Sequence, residues 1–206
     1  MDSKQHWEQI YAQAPAEEVS WYQAEPVVCL DLITAAGASP EAKIIDIGGG
    51  ASVLVSRLLE RGFKDITVLD ISAAALQSAK IRLGNLAESV KWIEADITTV
   101  KLSAEFFDIW HDRAVFHFLT EAVQRQQYVE RLNQALVSGG QIIISTFALA
   151  GPSRCSGLDV VRYSPESLQR AIGQNFVLVE TSNEIHLTPW QSEQKFIYCR
   201  FKKVAN

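Results

Sequence analysis

The sequence predicts a doubly wound α/β fold, a mainly parallel seven-stranded sheet with helices on both faces and an antiparallel C-terminal strand. Three observations carry this reading. Short β-branched runs alternate with stretches of helical apolar spacing along most of the chain, the habit of βαβ proteins. Carboxylates stand at or just past the ends of the first three runs, at Asp46, Asp70 and Asp96. Three glycines, Gly48, Gly49 and Gly50, follow at the turn into a helical segment, where a ligand can approach backbone that has no Cβ.

Residues 1–42 differ in character, carrying Trp7, Tyr11, Trp21 and Tyr22 and then an apolar helical stretch over 26–36. They read as a helical cap over the sheet, or as a lid whose Trp21-Tyr22 pair closes on a bound ligand, since aromatic rings give large contact area with few rotamers to freeze. Residues 43–47 are the first strand and 53–61 the helix beyond the glycines. Residues 66–69, closed by Asp70, are the second strand, after which Ser72 caps a helix running to Leu83. The third strand spans 90–93 and the fourth 106–111. Over 120–136, Val123, Tyr128, Val129, Leu132 and Leu136 share one helical face, and Ser138-Gly139-Gly140 stops that helix. Residues 141–147, nearly all apolar, suit a strand buried on both faces in the middle of a parallel sheet. Residues 176–185 and 194–201 form an antiparallel pair around Thr188-Pro189-Trp190.

At 206 residues the chain is long enough for one full-sized α/β domain and short of two. Its 48 % hydrophobic and 21 % charged residues exclude global disorder. A formal net charge of −5 gives no general attraction to phosphate backbones or anionic lipid, so neither nucleic acid nor a membrane is expected as a partner. Cys29, Cys155 and Cys199 are odd in number, far apart and outside any C-x-x-C spacing, which argues against a disulfide scaffold or a zinc knuckle. With no basic-then-apolar leader and no apolar run of membrane-spanning length, the expectation is a cytoplasmic protein with a single domain over 1–206.

A glycine-rich turn alone also suits dinucleotide folds, but G-x-G-x-x-G would need glycine at Val53. Taken together, residues 46–50 (DIGGG), 69–72 (LDIS) and 94–97 (EADI) resemble the motifs of class I S-adenosylmethionine-dependent methyltransferases, and the likeness covers nearly the whole chain from about Trp7. The resemblance implies a Rossmann-like methyltransferase fold, with S-adenosylmethionine as cofactor and S-adenosylhomocysteine as its product. It implies that the backbone of Asp46, Gly48, Gly49 and Gly50 lies against the methionine part of the cofactor. By the same likeness Asp70, followed by Ile71, accepts from both ribose hydroxyls, and Asp96 stands near the adenine amino group with Ile97 on the ring.

Residues 108–113 (DIWHDR) stand where the family's fourth motif leads to the methyl-transfer face. Residues 138–140 are similar to the family's P-G-G turn, with Ser138 where proline is usual. The strings 111–119 (HDRAVFHFL) and 155–158 (CSGL) resemble a subgroup of small bacterial methyltransferases. Other subgroups carry Asp-Lys-Gly at this place and methylate protein lysines; Arg113 and Ala114 depart from that pattern.

Methyl transfer is an in-line displacement at a sulfonium carbon, for which a protein aligns nucleophile, carbon and sulfur and takes a proton when the nucleophile is neutral. It requires no metal. His111 is the candidate to take that proton at neutral pH, or else a histidine packed beside the cofactor. Asp112 and Arg113 suit a charged group of the acceptor, or an internal ion pair. His117 reads as core packing or substrate contact. Arg154 and Arg162 flank Cys155 in a loop long enough to bind a carboxylate, Cys155 itself being expected to be inert. His186 and Thr188 are expected at the same cleft. The expected function is methyl transfer to an O, S or N nucleophile of a small-molecule acceptor, since only a short lid accompanies the domain. A protein lysine N-methyltransferase and a non-catalytic S-adenosylmethionine-binding protein are the alternatives.

Overall fold

The apolar runs become the strands of one sheet. In the computed structural model, which describes residues 3–13 and 15–204, the strands are β1 (Lys43–Ile47), β2 (Asp65–Asp70), β3 (Val90–Glu94), β4 (Phe107–Arg113) and β5 (Leu136–Phe147). A two-residue hairpin, β6 (Arg154–Cys155) with β7 (Leu158–Asp159), stands apart, and β8 (Phe176–Leu187) and β9 (Glu193–Lys203) complete the set. The seven-stranded order is β3-β2-β1-β4-β5-β9-β8; β9 is antiparallel to both of its neighbours, and the other pairings are parallel. Strand order reverses between β1 and β4, and ligands of doubly wound sheets bind at the carboxyl edge of such a switch point.

Six α-helices accompany them among the described residues: α1 (Ser3–Gln13), α2 (Val27–Ala35), α3 (Leu54–Glu60), α4 (Ala73–Leu83), α5 (Ala122–Ala135) and α6 (Pro165–Ile172). Helices α2, α3 and α4 bury Leu30, Ile33, Leu54, Leu58 and Leu76 against Ile44, Ile66 and Ile109. Helices α5 and α6 bury Tyr128, Leu132 and Leu168 against Ile45, Trp110 and Ile142 on the opposite face. Each such aliphatic or aromatic side chain contributes about 1.5–3 kcal/mol by leaving water. Because side chains alternate along a strand, β4 sends Ile109, His111 and Arg113 to the α2 face and Trp110 and Asp112 to the α5 face.

Two boundaries differ from the sequence reading in ways that matter for the site. Strand β4 runs on through His111 to Arg113, held by parallel pairing of Arg113 with Ser145. Ser138-Gly139-Gly140 does not stop the preceding helix: α5 ends at Ala135, and Leu136 turns extended to pair with Phe107. The two glycines instead lie inside β5, and Gly139 takes φ +75° where the β4–β5 register shifts. The strand is also not flanked by parallel neighbours on both sides, since β9 pairs with it antiparallel.

Within residues 1–42, Met1, Asp2 and Ala14 lie outside the described residues. Helix α1 is tied to the start of α4: Glu8 accepts from the backbone N–H of Ala73 at 2.6 Å, that of Ala74 at 3.1 Å and the Ser72 hydroxyl at 3.1 Å. Ser72 in turn caps α4 by accepting from Ala75 N–H at 3.1 Å, as the sequence predicts. No helix among the described residues is long and apolar enough to cross a membrane.

Candidate active site

Strands β1 and β2 end at Ile47 and Asp70, so the chain turns at the carboxyl edge of the sheet beside Gly48 and Ile71. Gly48 has φ +69°, and a Cβ there would run into Val115; a Cβ on Gly49 would run into the Asp46 carboxylate. Asp70 is buried and accepts from Gly50 N–H at 3.0 Å and Ser72 N–H at 2.9 Å. Burial disfavours its charged form more than these bonds restore it, and its pKa is raised to about 6. Asp96, past the end of β3, accepts from the Thr98 backbone at 2.8 Å and hydroxyl at 2.7 Å.

Along this edge runs a cleft of about 1060 Å³, counted out to its open mouth. Gly48, Asp70, Ile71, Asp96 and Ile97 line it together with the rings of Trp7, Tyr11, Trp21, Phe118, Phe147 and Phe196. The roof rings meet edge to face: Trp7 stands 5.7 Å from Trp21 and 5.0 Å from Phe118, and Tyr11 stands 6.0 Å from Trp21. A second, inner chamber shares Tyr11, Trp21, Gly48 and Arg113 with the cleft and adds Tyr22, Cys29, Asp46, Gly49 and His111.

Residues Asp46 and His111 are partners in the β1–β4 register, and Nδ1 of His111 lies 2.7 Å from Oδ1 of Asp46. Burial opposes the imidazolium, but Cys29 and the Asp46 carboxylate outweigh it and lift the His111 pKa to about 10. Arg113 donates from Nε to the Tyr198 hydroxyl and from Nη1 to the Trp21 carbonyl, each at 2.9 Å. Its guanidinium lies 4.6 Å from the Phe196 ring centre and 3.7 Å from Glu184, which itself accepts from Tyr198 at 2.6 Å and Gln23 at 2.7 Å. The residues 20–23 thus form a strap pinned to β4 and β8.

The three residues expected to do chemistry are therefore separated. His111 and Arg113 line the chambers, but Asp112 lies on the other face of the sheet and lines neither. Its carboxylate accepts from the Tyr128 hydroxyl at 2.6 Å and from the backbone of Val115 at 2.9 Å and Phe116 at 3.1 Å. A substrate contact by Asp112 is thereby corrected to a fixed buried network. His111, by contrast, stands on the inner-chamber wall with Nδ1 on the Asp46 carboxylate, which favours the protonated ring. Gly50 lines neither chamber; its N–H positions Asp70.

Other candidates also part company. His117 accepts from Phe147 N–H at 3.3 Å, and burial together with Arg113 lowers its pKa to about 3, so it is a neutral core residue. Arg154 pairs with Asp159 at 3.1 Å and Arg162 donates to the Leu149 carbonyl at 3.0 Å, both away from the cleft. Cys155 lines the cleft, and burial raises its pKa, which suits an inert wall. His186 lies 2.8 Å from the Ser20 carbonyl and fixes the strap from outside. Sequence reasoning missed Glu8, Glu184 and Tyr198 as partners of the site. No local motif marks them, because each acts across more than ten residues of separation.

The sheet order and the acid-lined edge are those of the Rossmann-like methyltransferase fold. Residues 45–144 match a family described as a methyltransferase domain. An uncharacterized methyltransferase of Mycobacterium tuberculosis is 30 % identical over 115 residues, 56 % of this chain and 54 % of that protein. The chain thus spans about half the length of the first curated relatives it matches. The eEF1A lysine and N-terminal methyltransferase of Mus musculus is 25 % identical over 154 residues, 72 % of this chain and 22 % of that protein. The fold is shared with a Burkholderia thailandensis 1,6-didemethyltoxoflavin-N1-methyltransferase, solved with 1,6-didemethyltoxoflavin and S-adenosylhomocysteine, at a TM-score of 0.69 and 18 % identity, covering 98 % of this chain and 84 % of that one.

The residues present fit S-adenosylmethionine, the cofactor that the sequence resemblance implies. The outer cleft offers carboxylates beside apolar Ile71 and Ile97, as a ribose diol and an adenine require. In the inner chamber, Oδ2 of Asp46 and Nε2 of His111 are buried without a partner, beside glycines whose missing Cβ atoms leave the approach open.

Proposed function

We propose that this chain is a methyltransferase of small molecules, using S-adenosylmethionine to methylate an O, S or N nucleophile. The observation that carries this reading is a single cleft lined both by Asp70 and Asp96 and by aromatic rings that include Trp7 and Trp21. The cofactor, when bound, supplies an activated methyl group on sulfur. Asp70 accepts from its ribose hydroxyls, Asp96 from its adenine amino group, and Ile71 and Ile97 cover the rings. Gly48 and Gly49 let the main chain approach the methionine part, and Trp21 and Tyr22 close over it.

The aromatic lining then holds the acceptor against the methyl, excluding water and aligning the displacement. Arg113 secures the roof through the Trp21 carbonyl. The residues 20–23 strap and the aromatic rings lining the cleft suit a compact acceptor, which favours a small molecule. The lysine-methylating reading is supported by the Mus musculus relative. Incubation with labelled cofactor, a metabolite extract and, in parallel, denatured cellular protein separates the two. Label in a small molecule supports the proposal; label confined to protein overturns its acceptor, and label in neither overturns turnover.

A further inference from the structure

We infer that Arg113 selects the methyl acceptor, taking a carboxylate of that molecule on its Nη2 amino group; this rests on the proposed methylation of a small molecule. The Arg113 side chain is 10 % exposed and lines both the cleft and the inner chamber. Its Nε donates to the Tyr198 hydroxyl and its Nη1 to the Trp21 carbonyl, whereas Nη2 is buried without a hydrogen-bond partner. The Glu184 carboxylate stands 3.7 Å from Nη2, beyond hydrogen-bond length, and its two oxygens already accept from Tyr198 and Gln23. Buried polar atoms are rarely left so, and an unpaired donor on a cleft residue points to a ligand.

The sheet register places Arg113 on the side away from the cofactor carboxylates. Pairing of β4 with β1 ends at Asp112 and Ile47, and Arg113 pairs onward with Ser145 of β5, which pairs in turn with Tyr198 of β9. Asp70 and Asp96, proposed to hold the ribose and the adenine, belong to the ends of β2 and β3, across β1 from β4. The guanidinium instead lies 4.6 Å from the ring centre of Phe196, which pairs with Phe147, and both rings line the cleft.

The unused donor fixes the kind of group it takes. Among the described residues that line the cleft, Arg113 is the one lysine or arginine. A cationic substituent beside it is repelled, and a carboxylate gains a charge-assisted bond. A phosphate dianion calls for a second cation and further donors, which this lining does not supply. The rings of Trp7, Trp21, Phe118, Phe147 and Phe196 suit a flat, apolar body on the same molecule, so the class inferred is an aromatic carboxylate. Glu184 faces the same guanidinium and moderates its pull; neutralising that carboxylate strengthens the site.

The test uses phenylacetate and its uncharged counterpart phenylacetamide, titrated into protein saturated with S-adenosylhomocysteine and followed by the indole N–H shifts of Trp7 and Trp21. Phenylacetate is expected to bind about tenfold more tightly than phenylacetamide and to move the Arg113 Nε resonance, readouts that need no variant. Glu184→Gln should tighten phenylacetate about threefold and leave phenylacetamide within about twofold. Arg113→Met should abolish the preference for the charged probe. Equal affinities for the two probes in the unaltered protein, or a preference that survives Arg113→Met, overturns the inference while leaving the methyltransferase reading standing. Phenylacetate that binds beside methylthioadenosine but not beside S-adenosylhomocysteine overturns it too, since the cofactor's own carboxylate then occupies Nη2. Failure of the unaltered protein to bind S-adenosylhomocysteine overturns both.

Discussion

Arg113, the last residue of β4, donates to the main-chain carbonyl of Trp21 at 2.9 Å across a sequence separation of 92 residues. A strand end of the central sheet therefore holds the strap that roofs the cleft. Arg113→Met leaves the Trp21 carbonyl, the Tyr198 hydroxyl and Glu184 short of a charged donor, at an expected cost of about 2–3 kcal/mol in unfolding free energy. Amide exchange over residues 19–24 should accelerate in this variant with β1 and β2 unaffected. Unchanged protection of 19–24 would mean that the contacts of Gln23 and Ser20 to β8 suffice.

Closure of the roof over ligand predicts a second exchange experiment. Trp21 and Tyr22 line the inner chamber, so adding S-adenosylhomocysteine should slow exchange over residues 15–30, where the strap is ordered against bound ligand. Equal rates with and without ligand would make the segment a permanent cap.

The withdrawal of Asp112 from the cleft predicts a variant that loses stability and keeps ligand affinity. Burial raises the Asp112 pKa to about 6, against the Tyr128 hydroxyl and the backbone of Val115 and Phe116, which favour its charged form. The native state then holds a proton that the unfolded chain has released between its ordinary value of 3.8 and about 6, so this group costs stability as pH rises through that window. Tyr128→Phe removes a donor to the carboxylate and should destabilise by about 1–3 kcal/mol at pH 7 and by less at pH 5. Thermal unfolding at the two pH values checks the difference, and S-adenosylhomocysteine affinity should remain within twofold.

These relationships mark how far the sequence could be read. Strands β1 to β5 and the Ser72 cap were legible because each is a local pattern, an apolar run or a capping residue in place. The end of α5 was not, because what stops that helix is the pairing of Leu136 with Phe107, a contact between segments far apart, and glycine chemistry pointed three residues too far along. The carboxylates Asp46, Asp70 and Asp96 were legible as a row, since parallel strands bring their ends together. Asp112 was misread because alternation along β4 sends it to the opposite face from its neighbours, which shows only once the strand is known to continue to Arg113. Glu8, Glu184 and Tyr198 belong to the site through tertiary contacts alone.

Cofactor affinity should carry the titration of Asp70. In the proposed contact with two ribose hydroxyls its carboxylate, raised to about 6, is the ionised partner, so binding would favour the charged form. Affinity for S-adenosylhomocysteine is expected to rise from pH 5 to pH 7 with a midpoint at about 6 and then to level off. Asp70→Asn should weaken binding at least tenfold at pH 7.5, about 1.4 kcal/mol, and flatten the profile. Calorimetry across this range checks both, and a flat profile in the unaltered protein would place the ribose elsewhere.

The pH dependence of turnover separates this titration from that of His111. An imidazole lifted to about 10 by Asp46 and Cys29 stays protonated across the neutral range, so it contributes no limb between pH 6 and 7. With cofactor saturating, the proposed ribose contact would keep Asp70 ionised, and kcat should show no inflection at about 6. The same inflection should persist in kcat/KM for cofactor, which reports the free enzyme. His111→Asn keeps a polar side chain while removing the imidazolium; it should raise KM for cofactor and lower kcat by a similar factor at every pH, because misplacing the sulfur weakens alignment alike whatever the solution pH. An inflection in kcat between pH 6 and 7 that disappears in His111→Asn would instead make the histidine the base, and would require that Asp46 hold its proton far less firmly than a buried 2.7 Å bond implies.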